Sequence, residues 1–194
     1  MSATPNFAGL CALVLHRADD TVERLARQFN VLGITMCAQW APLVVGTQPV
    51  DIVMVDADAG WSGLLPWPPG ENPMPLVALL GSEAPGRIAW ALDQGANALI
   101  AKPVAAAAVY PALVMAARAH SRTCETARRI RELEERIRLR PLVLAAIQVV
   151  MDRRGFDEAA AYRHLRSEAM RQRLALEQIA AAILAGPRAV PEAG

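Results

Sequence analysis

The stretch DIVMVD, residues 51–56, decides the fold class. Four consecutive apolar residues, three of them β-branched, stand between two aspartates with no polar alternation. That is the signature of a strand covered on both faces, and it leaves Asp56 at the strand's carboxyl end. Outward in both directions the chain repeats the pattern. CALVL (11–15) and LVALL (76–80) are further apolar runs, ITMCA (34–38) is a weaker strand candidate, and ALI (98–100) is a short one. Helical periodicity fills the intervals. Val22, Leu25, Phe29 and Leu32 share a face over 21–32 with Gly33 to close it; 86–94 reads as a second helix, and a long one begins near Val104. Only WSGLLPWPPGENPMP (61–75) breaks the alternation, and its Pro and Gly content permits at most one irregular helical turn. Strands alternating with helices over about 110 residues predict an α/β fold with a doubly wound parallel sheet.

Past this region the chain becomes helical. The long helix is expected to run toward Arg140, with Ile130, Leu133, Ile137 and Leu144 at heptad-compatible intervals. Glu125 with Arg129 and Glu132 with Arg136 are i,i+4 pairs in the favourable order. Two readings stand: a surface helix packed on its own domain, or a short dimer seam. Pro141 lacks an N–H and clashes with the preceding turn, so a kink or a fresh helix start is expected there. From 141 to 184 the sequence reads as three short amphipathic helices. Ala145, Ala146, Val149 and Val150 mark the first, which runs out at Arg153-Arg154-Gly155. Ala161, Leu165 and Ala169 mark the second, behind the acids Asp157 and Glu158. Leu176, Ile179, Ala180 and Ile183 mark the third, stopped by Gly186-Pro187. Helices this short must pack on one another or on a partner copy.

Composition narrows the function classes. The net charge of +1 hides a division: residues 1–117 carry five basic and nine acidic side chains, whereas 118–173 carry fourteen arginines and eight acids. A basic back half suits a polyanion; a solvated helical surface is the plainer alternative. No uninterrupted apolar run reaches membrane-spanning length, and the start has neither a basic n-region nor a small-residue cleavage site, so a cytoplasmic location is expected. Cys11, Cys37 and Cys124 are far apart and without C-x-x-C spacing, which argues against a zinc site or a disulfide framework. His16, His120 and His164 are scattered; no phosphate-binding glycine loop and no G-x-S-x-G motif occurs. An enzyme is not expected, and no catalytic residue, metal or cofactor is assigned.

The segment A-I-Q-V-V-M-x-R-R-G-F-D-E-x-x-A-Y-x-x-L-R-x-x-A-M from Ala146 to Met170, with L-x-x-I-A-x-x-I-L from Leu176 to Leu184, resembles an ANTAR domain. This is the RNA-binding module of the AmiR/NasT family of transcription antiterminators. One residue departs from that pattern: Ile147 stands where the family usually has lysine. The front half is similar to the flavodoxin-like receiver domain of response regulators. Asp56 falls at the phosphoacceptor position, and Lys102, the one lysine of the chain, followed by Pro103, falls at the active-site lysine. Where receivers carry paired Mg²⁺-binding carboxylates this chain has His16 and Arg17, and where they carry a hydroxyl residue it has Leu80. Asp56 and Lys102 are therefore expected to form a degenerate phosphoacceptor site, an inherited ion pair, with Arg17 as a further candidate partner for Asp56.

The resemblance implies a pseudo-receiver over residues 8–118, a coiled-coil connector over 119–140 and an ANTAR domain over 141–186. It implies a homodimer that binds hairpins in a leader transcript and stabilises an antiterminator. Control would come from a ligand-sensing negative regulator resembling a periplasmic binding protein, and loss of the acid pair points to the amide branch of the family. A phosphorylation-dependent response regulator binding RNA or DNA is the alternative. Arg153, Arg154, Arg163, Arg166, Arg171 and Arg173 are the candidate RNA contacts, because guanidinium groups suit phosphates and splayed bases. Arg166 has a second reading, as an internal partner of Glu168 or Asp157. Tyr162, flanked by alanines, is expected in the core.

Overall fold

The computed structural model describes residues 5–44, 46, 49–61 and 63–186. Ser62 of the Trp-rich loop, Pro187 after the last helix and the first four residues lie outside them. The chain divides into two compact units, 1–125 and 126–194.

In the first unit the apolar runs become five parallel strands: β1 Cys11–Leu15, β2 Thr35–Gln39, β3 Ile52–Asp56, β4 Leu76–Leu80 and β5 Ala98–Ala101. Their order is β2-β1-β3-β4-β5. Helix α1, Asp20–Leu32, connects β1 to β2. Asp19 caps its start by accepting from the N–H groups of Thr21 and Val22 at 2.9 and 3.3 Å. Gly33 ends it at φ +70°, a left-handed conformation that glycine adopts without steric cost. Helix α2, Pro85–Asp93, links β4 to β5, and α3 begins at Ala106.

Every residue of β3 and β4 is buried, as uninterrupted apolar runs require. One sheet face packs Val14, Met54, Val77 and Ile100 against Leu25 and Phe29 of α1 and Val109 and Leu113 of α3. The opposite face is covered unusually. Among the described residues no helix lies between β2 and β3 or between β3 and β4. Instead Leu43, Leu64 and Leu65, with Trp40 and Trp67, cover the sheet beside Ala91 of α2. The Trp- and Pro-rich segment thus does a helix's work without helical backbone. At Gly60 it runs so close to the indole of Trp90 that an added Cβ would lie 2.2 Å from the ring.

Helix α3 extends from Ala106 to Arg154 without interruption. This corrects the alternative of a fresh helix start at Pro141. The missing N–H leaves one carbonyl of the preceding turn without its helical partner, and Pro141 is solvent-exposed, so the cost is that of an open group rather than a buried one. The first helix of the 141–184 segment is therefore the end of α3. The expected Glu125–Arg129 and Glu132–Arg136 pairs also give way: Glu132 meets Arg128 at 3.7 Å, and Glu135 meets Arg138 at 3.8 Å.

In the second unit, α4 Glu158–Gln172 and α5 Leu176–Ala185 pack with the end of α3. Asp157 caps α4 by accepting the Ala160 N–H at 2.6 Å. The core holds the expected Ala161, Leu165, Ala169, Ile179 and Ala180, together with Ala146 and Val150. It also holds Val143 and Ile147, while Ala145 is exposed and Val149 only partly buried. Among the described residues no helix is long and apolar enough to cross a membrane.

Candidate functional site: a closed carboxylate–lysine centre and a basic helical groove

The strand order reverses direction between β1 and β3, and in open α/β sheets the crevice beyond the strand ends at such a point is where ligands collect. His16 follows β1 and Asp56 ends β3 at this crevice. Lys102 follows β5, its own N–H donating to the Leu80 carbonyl at 2.6 Å, and its peptide bond to Pro103 is cis. The Lys102 ammonium donates to Asp56 Oδ1 at 2.8 Å and lies 2.8 Å from Asp58 Oδ2. Its third neighbour is His16 Nε2 at 3.3 Å.

The tautomer of His16 follows from its other nitrogen. Nδ1 lies 2.7 Å from the Arg17 carbonyl, which can only accept, so Nδ1 carries a proton, and with the ring in its neutral form Nε2 accepts from Lys102. All three N–H bonds of the ammonium are then used within the protein. Asp56 Oδ1 also accepts the Asp58 N–H at 3.0 Å, and Asp58 Oδ2 accepts the Gly81 N–H at 2.6 Å. Burial pushes the Asp58 carboxyl up, but its hydrogen bonds from Lys102 and Gly81 outweigh this and hold it below the ordinary carboxylate value. Burial likewise pushes Lys102 down, and the two aspartates outweigh it and raise it. Asp56 and His16 are 6 % and 3 % exposed, so the centre is shielded as well as paired.

Arg17 is not the partner of Asp56. Its guanidinium lies over the Trp40 ring at 5.6 Å, and His16 occupies the place beside Asp56, with Nε2 3.4 Å from Oδ2. Nor does Leu80 reach the centre; its side chain packs in the core, and the backbone of Gly81 does the reaching. A Cβ at Gly81 would stand 3.0 Å from Asp58 Oδ2 and 3.3 Å from Lys102 Cε, leaving little room for a hydroxyl side chain.

The Mg²⁺ that receivers use does not fit these residues. It requires near-octahedral oxygen ligation, whereas here two carboxylates supply the anionic oxygen, a nitrogen ring replaces the acid pair, and an ammonium sits between the carboxylates. The centre is an ion-pair network in which one ammonium is shared by two carboxylates.

The second unit holds the arginines. Arg153 and Arg154 end α3, where a cation complements the helix dipole, and Gly155 follows at φ +67°. Together with Arg171 of α4 they line a groove of about 460 Å³ whose apolar wall includes Leu174 and Ile183. Arg163 and Arg166 are exposed on α4 but are not among the residues lining this groove, and Arg166 pairs with neither Glu168 nor Asp157. Arg173 caps α4 at φ +56°, a left-handed conformation unusual for a side chain with a Cβ. The six arginines are thus divided: three at the groove, two elsewhere on α4, one holding a turn.

Glu168, within the groove, accepts from Arg171 and Gln172, and these hydrogen bonds lower its carboxyl below the usual range. Sequence singled out Glu168 only as an internal partner for Arg166, because the groove it lines joins three elements. Tyr162 is 41 % exposed, correcting its assignment to the core; Ala161 and Leu165 take the buried positions on either side. Ile147, at the family's lysine position, is 7 % exposed and belongs to the core.

Comparison with known proteins adds the following. The family model described as "AmiR, N-terminal" matches residues 10–117, more than half of the chain, and the ANTAR domain model matches residues 131–184. The chain is 28 % identical over 180 residues to the aliphatic amidase regulator of Pseudomonas aeruginosa, covering 90 % of this chain and 91 % of that protein. Among solved structures it is similar to the response regulator StyR at 14 % identity, with a TM-score of 0.53 over 92 % of this chain and 99 % of that one. That likeness bears on the fold alone.

Proposed function

The chain belongs to the AmiR family of regulators, its AmiR N-terminal region followed by an ANTAR domain, and from that premise we propose that it is an RNA-binding transcription antiterminator. In this reading it stabilises an antiterminator hairpin in a leader transcript at the expense of a competing terminator. It needs only a higher affinity for one of two RNA folds to shift their populations. The observation that carries the reading is the basic second unit, where Arg153, Arg154 and Arg171 converge on one groove within the region matched as ANTAR. Arg163 and Arg166 provide a further exposed basic surface on α4, and Arg173 stands at its end.

Control passes through protein contact rather than phosphorylation. The Asp56–Lys102–Asp58 network supports this, since an incoming phosphoryl group would have to displace an ammonium already bound to both carboxylates. A ligand-sensing negative regulator resembling a periplasmic binding protein is the partner implied by the family. The relative named as an aliphatic amidase regulator supports an amide operon. A homodimer forms along α3, where Ile130, Leu133, Ile137 and Leu144 are each about half exposed or more.

A gel shift comparing leader-RNA hairpins with duplex DNA of the same sequence, at about 50 and about 200 mM salt, tests this reading. Hairpin binding that outlasts duplex binding at the higher salt is expected. Duplex preference, or no RNA binding, refutes it.

A further inference from the structure

The groove in the second unit carries one residue that phosphate binding alone does not explain. Arg153, Arg154 and Arg171 make its rim cationic, which suits the RNA backbone, yet Glu168 places a carboxylate among them. A surface built only for phosphates would lose affinity through that negative charge. Arg171 and Gln172 both donate to its Oε1, while Oε2 has no hydrogen-bond partner among the described residues. The ring of His164 lines the same groove and stands edge-to-face with Phe156, their centroids 6.0 Å apart at 74°. Leu174, 44 % exposed, offers an apolar surface there.

These features together match an unstacked nucleobase: a flat apolar body, an edge bearing hydrogen-bond donors, and a phosphate attached nearby. Single-stranded loops present such bases, and proteins read them by stacking and by hydrogen bonds to their edges. A carboxylate accepts from an exocyclic amine, which adenine, cytosine and guanine carry and uracil lacks.

We infer that this groove takes one unstacked loop nucleotide of the bound RNA and that Glu168 selects an amine-bearing base in it. This rests on the RNA-binding reading above and names the subsite and the base class within it. Arg153 and Arg154 hold the flanking phosphates; His164 and Leu174 contact the base. Arg171 and Gln172 are positioning residues that act through Glu168.

The test uses the full chain and synthetic RNA hairpins with a common stem and randomised loops. Selection on the wild type is expected to enrich hairpins in which one loop position excludes uracil, with uracil there weakening binding about tenfold. Glu168→Gln, which keeps size and shape but adds an N–H2 from which a uracil carbonyl can accept, should abolish that discrimination. Three results overturn the inference: no loop position that excludes uracil, discrimination that survives in Glu168→Gln, or an equal loss by that variant for every loop, which would mark a merely structural role. If the wild type binds no hairpin of any loop sequence, the RNA-binding reading fails with it. Binding of hairpins without base selection removes the subsite alone.

Discussion

Lys102→Met removes the cation at the centre of the first unit while keeping an unbranched apolar stem. Two carboxylates lose their partner, and Asp56 is 6 % exposed, so it is left as a buried charge with only His16 and the Asp58 N–H nearby. Breaking a buried ion pair from one side costs about 3–5 kcal/mol, and the remaining hydrogen bonds put this case near about 3 kcal/mol. With a urea slope of about 2 kcal/mol/M, the midpoint should fall by about 1.5 M. All four tryptophans (Trp40, Trp61, Trp67 and Trp90) lie in the first unit, so their fluorescence follows this unit even if the second unfolds separately.

The double variant Lys102→Met with Asp56→Asn removes charge from both sides and should recover at least about 1 kcal/mol of the single variant's loss. The pH dependence has a definite sign. Lys102 is raised when folded, so its stabilisation is complete below its ordinary value of 10.5 and is lost as pH rises through the higher folded value. Asp58 is lowered, so its contribution is present above its ordinary value of 3.8 and is lost as pH falls through the lower folded value. In Lys102→Met, burial then acts on Asp58 without the opposing ammonium, so the acid-side loss shrinks. A midpoint shift under about 0.5 M, or a double variant at least as destabilised as the sum of the two singles, would refute the reasoning.

Arg173→Gly should stabilise the second unit by about 1 kcal/mol, read as a higher melting temperature by circular dichroism, because glycine adopts φ +56° without the Cβ penalty. Arg173→Ala keeps that strain and should not. Ile147→Ala should cost the second unit about 2–4 kcal/mol through the cavity left in its core, and the same melts would expose a surface residue instead if the loss were negligible. Leu133→Asp, at the middle of the exposed stripe on α3, should convert the proposed dimer to monomer in sedimentation velocity while leaving tryptophan fluorescence unchanged; a wild type that sediments as a monomer would remove the seam.

The strands were legible because IVMV and LVALL have no alternation to misread, and both became buried strand residues. Gly33 was legible because a left-handed helix end selects glycine. Pro141 misled for a physical reason: one missing hydrogen bond on an exposed helix is a local cost, and the strongly helical sequence on both sides continues through it. At the centre, sequence identified Asp56 and Lys102 but could not say whether His16 or Arg17 turns inward. That depends on the direction each side chain takes after β1, with the Trp40 ring receiving Arg17. The groove was illegible for a different reason. Its residues come from α3, α4 and α5, and only packing shows that Arg171 stands with Arg153 and Arg154 while Arg163 and Arg166 do not line it.

The most direct measurement of the central claim is single-round transcription with purified polymerase across a leader containing the competing antiterminator and terminator stems. Added full-length protein should raise the fraction of read-through transcript, and a template lacking the antiterminator stem should not respond. An unchanged read-through fraction, despite demonstrated binding to the hairpin, would contradict the account.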